Sequence, residues 1–301
     1  MNIQNIKRKL GYVRNNPKLL ILRTLRKCGW IPDKFYIQLF YLLKNNEILH
    51  LSNPNTFNEK LNWLKLYYRK PIFNVMADKY DVKKYVADIL GGGENVVKNY
   101  GVWDNFDDID WESLPNSFIL KCTHDSGGIC ICRDKTTFDY TKAASLMKSA
   151  LLRNCYNGAR EWPYKDLKPR IIADELLDDG RAGELQDYKF WCFNGKAKVM
   201  YMTNKGTSIF ENFYDMDFNP LSIDHGFPRV IPEYAKPKEF ETMKTLAEKL
   251  SKNIPFVRVD FFDVNGHIYF GEFTFYDWAG TRAFVSKDWD KKLGSWIELP
   301  K

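Results

Sequence analysis

The sequence predicts a mixed α+β fold with antiparallel sheets, and two observations carry that prediction. Apolar residues recur at helical spacing through roughly the first 90 residues and then, after three glycines at 91–93, give way to short β-rich runs. The later strands and helices are mixed rather than strictly alternating, which argues against a doubly wound parallel sheet. A length of 301 residues with 45% hydrophobic residues is typical of an enzyme-sized globular chain and excludes disorder.

The N-terminal part is predicted to be helical. Glu59 follows Thr56 by three residues, a capping-box spacing that places a helix start at Thr56. Another helix should run over 81–90 and end at the glycine run. The apolar residues at three- and four-residue steps that indicate the remaining helices are Ile3, Ile6, Leu10, Val13, Phe35, Leu39, Leu42 and Leu43.

Runs rich in β-branched and aromatic residues predict strands in the second part of the chain. The dipeptide Asn194-Gly195 is typical of a two-residue hairpin turn. The predicted elements are, in order, strands at 118–122 and 129–132, a helix over 138–155, strands at 170–173, 188–193 and 197–202, a helix over 238–252 and a final hairpin at 256–275.

A polar loop that ends in Gly127-Gly128 joins the first two of these strands, directly after Lys121. Glycine lets the backbone approach a ligand closely and lets φ become positive, so such a loop can turn N–H groups toward a phosphate. The loop leads into a strand and lacks the spacing of a Walker P-loop. The alternative interpretation is an ordinary polar hairpin loop.

The final hairpin carries Asp260 and Glu272, one on each strand, which can share a divalent cation only if both face the same way. A two-residue turn would set Glu272 opposite Val259 and separate them. A three-residue loop over 264–266, with a glycine bulge, would set Glu272 opposite Arg258. The side-chain pattern favours the three-residue loop, so Arg258, Asp260, Glu272 and Thr274 are predicted to share a face. A plain Arg258–Glu272 ion pair with a solvated Asp260 is the alternative.

The net charge of +7 is unevenly distributed. The first 70 residues carry +11 and the remaining 231 carry −4. Residues 1–30 hold eight Lys/Arg, no Asp or Glu, and several leucines. Such a segment can rest on an anionic membrane face or form a helical extension packed on the core, and both interpretations stay open. No nucleic-acid-binding module is recognised, so a nucleic-acid partner is not expected.

The six cysteines form no CxxC pair and have no His-rich partner segment, which argues against a zinc site and for a reducing compartment. No segment has the length of a signal-peptide core or of a membrane span. We therefore expect a cytoplasmic protein, with association at the inner face of the membrane as an open alternative.

Several short strings, in this order and spacing, resemble the ATP-grasp superfamily and more closely its TupA-like branch, which is associated with bacterial capsular and surface-polysaccharide (teichuronopeptide-type) biosynthesis. The resemblance covers residues 53–301. It implies an ATP-grasp fold, in which two α+β lobes clasp ATP, behind an N-terminal helical region. The strings are Ala77-Asp78-Lys79-Tyr80, Phe118 to Gly128, Asp187 to Trp191, Arg258-Val259-Asp260 and Gly271 to Phe275.

The same resemblance implies a division of the chain. The implied parts are a basic helical region at 1–75, a pre-lid segment at 76–114, a lid at 115–175 and a catalytic part at 176–301.

The resemblance also implies roles for individual residues around ATP. Lys79 and Lys121 are the expected phosphate lysines, Glu175 the hinge residue beside adenine, Asp187 the residue near the ribose, and Lys189 a further phosphate contact. The flexible loop over the nucleotide would contribute His124, Ser126, Gly127 and Gly128.

Metal and catalytic roles follow from the same comparison of motifs. Asp260 and Glu272 would hold Mg²⁺, as two ions, with Mn²⁺ as an alternative metal. Thr274 stands where many relatives have Asn, so a hydroxyl would replace an amide there or Asp277 would be recruited. Arg258 and Lys121 are expected to act in catalysis, and Arg282 is a looser candidate for the same or for acceptor binding.

The activity that this resemblance implies is an ATP- and Mg²⁺-dependent carboxylate–amine ligase that forms an amide bond through an acyl phosphate. The expected partners are a carboxylate such as a uronic acid or amino acid and an amine acceptor, on a lipid-linked or nucleotide-linked saccharide. The chain shows no Ser/His/Asp or Cys/His signature, and phosphoryl transfer needs none because it depends on positioning and charge neutralisation. A glycosyltransferase of polysaccharide biosynthesis and a non-catalytic nucleotide-binding protein are the alternatives.

Overall fold

The structure is a computed structural model that describes residues 17–180, 185–204 and 209–300. The predicted helix at Ile3 to Val13 lies outside these residues. The helices are α1 Pro17–Leu25, α2 Asp33–Asn45, α3 Phe57–Tyr67, α4 Ile72–Ala77, α5 Asp81–Leu90, α6 Tyr140–Leu151, α7 Tyr156–Ala159, α8 Phe240–Leu250 and α9 Lys287–Ser295. Short 3₁₀ turns occupy Phe106–Asp108, Lys135–Thr137, Trp162–Tyr164 and Asp277–Gly280.

The strands form two antiparallel sheets. A four-stranded sheet has the order β1-β4-β2-β3, and a six-stranded sheet has the order β10-β9-β5-β6-β7-β8. The predicted α+β class is therefore confirmed. The strands are β1 Asn99–Trp103, β2 Phe118–Cys122, β3 Ile129–Cys132, β4 Ile171–Asp174, β5 Asp187–Phe193, β6 Lys196–Asn204, β7 Phe210–Tyr214, β8 Pro220–Leu221, β9 Phe256–Val264 and β10 His267–Thr274.

The local signals that the sequence carries are found where they were expected. The Thr56 hydroxyl accepts a hydrogen bond from the Glu59 N–H, and the Glu59 carboxylate accepts one from the Thr56 N–H, which confirms the capping box. Gly91, with φ of +86°, ends α5 in the left-handed conformation. Asn194 and Gly195 have φ of +50° and +78°, the backbone that a tight hairpin turn requires.

Three apolar clusters hold these elements together. The largest joins both sides of the six-stranded sheet to α3, α4, α5, α8 and α9. A second packs α6 on the four-stranded sheet and draws on residues 106–173. A third lies between α1 and α2 and contains Ala159. The domain boundaries stay a prediction, and β1, inside the predicted pre-lid segment, belongs to the four-stranded sheet.

The N-terminal helices are joined to the rest of the chain by buried polar contacts as well as by apolar packing. The fully buried Arg160 lies over the ring of Tyr36 and donates to the carbonyl of Cys28 at 2.8 Å. Asp33 at the start of α2 pairs with Arg69 and accepts from the Tyr156 hydroxyl. Of the basic segment at 1–30, the described part packs Leu22 and Leu25 of α1 into the third cluster, and the membrane interpretation stays a prediction. In the part of the chain described above, no helix has the length and apolarity to cross a bilayer.

Gly294 allows α9 to lie directly on the start of α3. A Cβ at this position would come within 2.4 Å of the Asn55 carbonyl oxygen and 2.7 Å of the Phe57 nitrogen. We expect Gly294→Ala to lower the free energy of unfolding by about 2 kcal/mol or more, because backbone atoms cannot move aside. In an uncrowded helix the same change would stabilise. Urea unfolding measures the difference.

The matched control is Gly92→Ala, because a Cβ at Gly92 meets no atom within 4 Å. We expect the unfolding free energy of this variant to stay within about 0.5 kcal/mol of the parent value. A Gly294→Ala protein as stable as the parent would contradict the close approach of α9 and α3.

Candidate active site

A cleft of about 310 Å³ lies between the two sheets. Its walls come from α5 and Lys79 shortly before it, from β2 and the loop after it, and from β4, β5, β9 and β10. Apolar side chains cover part of both walls, among them Val82, Val97 and Phe262. The predicted site residues that the structure brings together on this cleft are Lys79, Lys121, Ser126, Asp187, Lys189, Asp260 and Glu272.

One wall of the cleft is basic. Lys79, just before α5, donates to the carbonyl of Asp125. The ammonium groups of Lys121 and Lys83 lie 3.2 Å and 3.1 Å from the two carboxylate oxygens of Asp174. Burial lowers the pKa of Lys83, and Lys121 lowers it further while Asp174 acts in the opposite direction. Three lysines with one aspartate leave this wall positively charged, which suits a polyanion.

Lys83 and Asp174 line the cleft although the sequence analysis did not select them. Lys83 lies inside an amphipathic helix, where a lysine is expected on the solvent face. Asp174 is the last residue of a buried strand, and nothing in its sequence neighbourhood distinguishes it. The one available signal is the four-residue spacing of Lys79 and Lys83 at a helix start. A single sequence cannot show that the ammonium groups of Lys83 and Lys121 meet at the carboxylate of Asp174.

The opposite wall holds a cluster of carboxylates around two cations. Lys189, on the fully buried strand β5, lies 2.7 Å from Asp260 and 3.2 Å from Asp187. Arg258 binds both oxygens of Asp260 at 2.7 Å. Burial acts to lower the pKa of Lys189, but the carboxylates of Asp260, Asp187 and Glu272 together outweigh it and the net shift is upward.

The guanidinium of Arg258 also connects β9 to β10 and to the turn that follows. It lies 2.9 Å from Glu272 and 2.6 Å from Asp277, whose carboxylate accepts from the Tyr201 hydroxyl. The predicted Arg258–Glu272 pair is therefore present, but Asp260 is buried rather than solvated. Four carboxylates around two cations leave an excess of negative charge at this end of the cleft.

This donor set fits a hard divalent cation. Asp260 and Glu272 accept from the same nitrogen of Arg258, and the Thr274 hydroxyl lies 3.4 Å from Glu272. The part of the chain that the structure describes contains no group of three or more acidic, His or Cys side chains arranged to bind a metal by themselves. Mg²⁺ usually takes one or two carboxylates and completes its shell with phosphates and water, so two carboxylates suffice.

The predicted hairpin register is wrong in detail. The structure has the two-residue turn, with Asn265 and Gly266 at φ of +55° and +88°, and Tyr269 pairs with Phe262. The register then shifts between Phe270 and Phe273, so that Thr274 lies opposite Arg258. A bulge at 271–272 sets two residues against one and restores the expected face. Arg258, Asp260, Glu272 and Thr274 therefore share a face as predicted, but because of this bulge and not because of a three-residue loop.

The glycine loop differs from the expectation. The N–H groups of Gly127 and Gly128 donate to the carboxylate of Asp125, which also pairs with Arg153 at 2.8 Å. Neither glycine has positive φ. A Cβ on Gly128 would come within 2.8 Å of Ala150 and of the Cys122 sulfur, so packing against α6 explains this glycine. The loop amides therefore satisfy Asp125 in this structure.

His124, Glu175 and Arg282 do not line the cleft. His124 is buried with Nε2 3.2 Å from the Arg153 carbonyl oxygen, and burial lowers its pKa. Glu175 follows β4 and donates its N–H to the carbonyl of Lys98. Arg282 lies over the rings of Phe227 and Trp278 and donates to the carbonyl of His225. Their assigned roles stay predictions, and the structure gives His124 and Arg282 structural contacts.

Comparison with known proteins gives a family and a set of solved structures. The family model described as TupA-like ATPgrasp matches residues 59–298. The D-alanine–D-alanine ligase of Bacillus anthracis, complexed with ATP, is 16% identical, with a TM-score of 0.40 over 66% of this chain and 55% of that one. The Helicobacter pylori D-alanine–D-alanine ligase is 13% identical, with a TM-score of 0.43 over 81% and 67%.

A third similar structure is the N5-carboxyaminoimidazole synthetase of Staphylococcus aureus, complexed with ADP. It is 14% identical, with a TM-score of 0.42 over 75% of this chain and 52% of that one. The chain thus spans between about half and two thirds of the length of these three proteins. No curated protein matches it in sequence.

Stability at low pH should report on the buried carboxylate at the centre of the site. Burial acts to raise the pKa of Asp260, but Arg258 and Lys189 outweigh burial and hold that pKa below its ordinary value of 3.8. The stability that Asp260 contributes is present above the unfolded pKa and is lost as the pH falls through the folded pKa. We expect Asp260→Asn to flatten the fall of unfolding free energy between about pH 5 and pH 3, measured by urea unfolding.

The control for this measurement is Asp217→Asn, which makes the same change at an exposed aspartate. Its stability should follow that of the parent protein through the whole pH series. An Asp260→Asn protein that loses as much stability on acidification as the parent would contradict the ion pairs of Asp260.

Proposed function

Because this chain belongs to the TupA-like ATP-grasp family, we propose that it is an ATP- and Mg²⁺-dependent carboxylate–amine ligase that forms an amide bond. The family membership also confirms the predicted ATP-grasp fold, whose two lobes here correspond to the two sheets on either side of the cleft. The products are ADP and phosphate. The proposal extends to a uronic acid joined to an amino acid or amine in surface-polysaccharide biosynthesis, and that part rests on the family relationship rather than on a contact.

The observation that carries the ligase proposal is the separation of charge across the cleft. Lys79, Lys83 and Lys121 make one wall positive, while the cluster around Asp260 and Glu272 makes the other negative. A triphosphate complexed with a divalent cation carries both signs of charge. Bound between these walls, its phosphates would face the lysines and its metal would face the carboxylates.

Each wall then has a defined part in phosphoryl transfer. The lysines hold the phosphates against their mutual repulsion, and the apolar residues Val82, Val97 and Phe262 offer contact to a purine ring. Mg²⁺, held by Asp260 and Glu272 with Thr274 beside them, would supply charge neutralisation and orientation.

Arg258, which binds the cleft-lining residues Asp260 and Glu272 from behind, is the residue that we assign to act on the reacting groups. Its guanidinium is fixed by Asp260 and Asp277, so no reorganisation is needed when negative charge develops next to it. The γ-phosphoryl passes to a carboxylate oxygen and ADP leaves. The amine then attacks the acyl carbon, phosphate leaves, and the nitrogen loses a proton.

Incubation with ATP, Mg²⁺, D-glucuronate and hydroxylamine tests the activity, because hydroxylamine converts an acyl phosphate into a stable hydroxamate. We expect release of ADP and formation of hydroxamate. Asp260→Asn and Glu272→Gln should each lower the rate of ADP release by about 100-fold or more, because each removes a metal ligand. Coupled detection of ADP and colorimetric detection of hydroxamate are the two measurements.

Asp263→Asn is the matched control, because it makes the same change on β9 at the turn end, where Asp263 accepts from the Gly266 N–H. Its ADP release should equal that of the parent. Binding of uridine diphosphate sugars in place of ATP would favour the glycosyltransferase alternative. ATP binding without ADP release for any uronic or amino acid would favour the non-catalytic alternative.

Lys83 provides an independent test of the nucleotide site. We expect Lys83→Met to weaken ATP binding about tenfold or more, because one charge-assisted contact to a phosphate is lost. Lys84→Met should leave ATP affinity unchanged, since the Lys84 side chain is 82% exposed and pairs with Asp88 on the outside of α5. Isothermal titration with ATP measures both variants, and equal affinities would remove Lys83 from the site.

A further inference from the structure

The outer side of the N-terminal helices exposes large apolar side chains that the apolar clusters leave uncovered. Trp30 is 82% exposed, Phe35 is 60% exposed and Ile48 is 72% exposed. Solvent-facing apolar residues that occur singly need no explanation, but a concentration of them in one region marks an interaction surface. We define the N-terminal surface as the exposed residues Ile21, Trp30, Phe35, Leu42 and Ile48 together with the cations around them.

Helical geometry places part of this surface on a single face of α2. Tyr36, Ile37 and Phe40 are buried against α1 and the rest of the chain. Phe35 and Leu42 are seven residues apart, two turns along the same stripe, and both are exposed. The helix is therefore apolar on its inner face and again along its outer face. Packing among the described residues accounts for the inner face only.

No carboxylate of the described residues neutralises the cations of this surface. Within the described residues, none of these cations forms an ion pair with a carboxylate, and the first acidic residue of the chain, Asp33, pairs instead with Arg69 and Arg160. Desolvation and the like charges of Arg26 and Arg282 lower the pKa of Lys44. The exposed cations are Arg23, Arg26, Lys27, Lys34 and Lys44.

We propose that the N-terminal surface docks on an anionic phospholipid bilayer, with Trp30 and Phe35 in the interfacial layer and the surrounding cations against the headgroups. The chemistry of the surface selects this occupant. Tryptophan and phenylalanine prefer the membrane interface, and anionic headgroups complement cations that form no ion pair among the described residues. Exposed aromatic and aliphatic side chains beside exposed cations match the two layers of an anionic bilayer, its apolar interface and its charged headgroups. The proposal does not depend on the ligase activity.

Sedimentation of the full chain with vesicles tests the proposal. We expect pelleting with vesicles of phosphatidylglycerol and phosphatidylcholine, weaker pelleting at high salt, and little with pure phosphatidylcholine. The double variant Trp30→Ser/Phe35→Ser should lose most of the binding. Lys27→Gln and Lys34→Gln should each weaken it about fivefold, the effect of one cation near an anionic surface.

Matched controls use the same changes elsewhere on the surface. Leu152→Ser replaces a side chain that is 89% exposed, and Lys238→Gln and Lys252→Gln remove exposed cations remote in sequence from this region. All three should pellet like the parent. Thermal unfolding of each variant shows whether it is folded.

A second measurement examines Trp30 directly. Vesicles of brominated phosphatidylglycerol should quench part of the tryptophan fluorescence of the parent. Trp30→Phe should remove that part while vesicle binding persists. Three results would each overturn the proposal: no pelleting of the parent, equal pelleting of a folded Trp30→Ser/Phe35→Ser protein, or self-association that depends on Trp30 in place of vesicle binding.

Discussion

The buried guanidinium of Arg258 is the interaction on which the rest of the site depends. Burial acts to lower its pKa, but Asp260, Tyr201 and Asp277 outweigh burial and hold that pKa well above its ordinary value. The arginine therefore stays charged inside the protein and draws three carboxylates around itself. One of them lies on its own strand, one on the neighbouring strand and one on the turn that follows.

That turn explains how the site is joined to the helical half of the protein. Trp278 and Ala279 both have positive φ, at +47° and +57°, which is costly for residues with side chains. Buried donors of α3 hold the turn, because Lys65 donates to the carbonyl of Ala279 and Asn62 to that of Gly280. The backbone strain of the turn after Asp277 is thus offset by hydrogen bonds from α3, the helix whose start the sequence predicts from its capping box.

The cleft places opposite charges on opposite walls, and the two sheets make this possible. The lysines come from the four-stranded sheet and the helix before it, and the carboxylates come from the six-stranded sheet. Each wall is stabilised by its own internal pairs, Asp174 with Lys83 and Lys121 on one side and Asp260 with Lys189 and Arg258 on the other. A ligand that carries both signs can engage the two walls without leaving a buried charge unpaired.

The sequence by itself determined the α+β class, many of the helices and strands, the family and most of the charged residues of the cleft, but it did not identify β1, β7, β8, α7 or α9. These follow from periodicity, caps, turns and short ordered strings, all of which are local. The register of the last hairpin, the contact of the loop glycines with Asp125 and the place of Lys83 and Asp174 were decided only by the tertiary structure. Each of these features depends on distances that no local pattern encodes. The bulge needs the pairing of two strands, the loop amides need the nearby carboxylate of Asp125, and Lys83 and Lys121 meet at Asp174 only when the chain is folded.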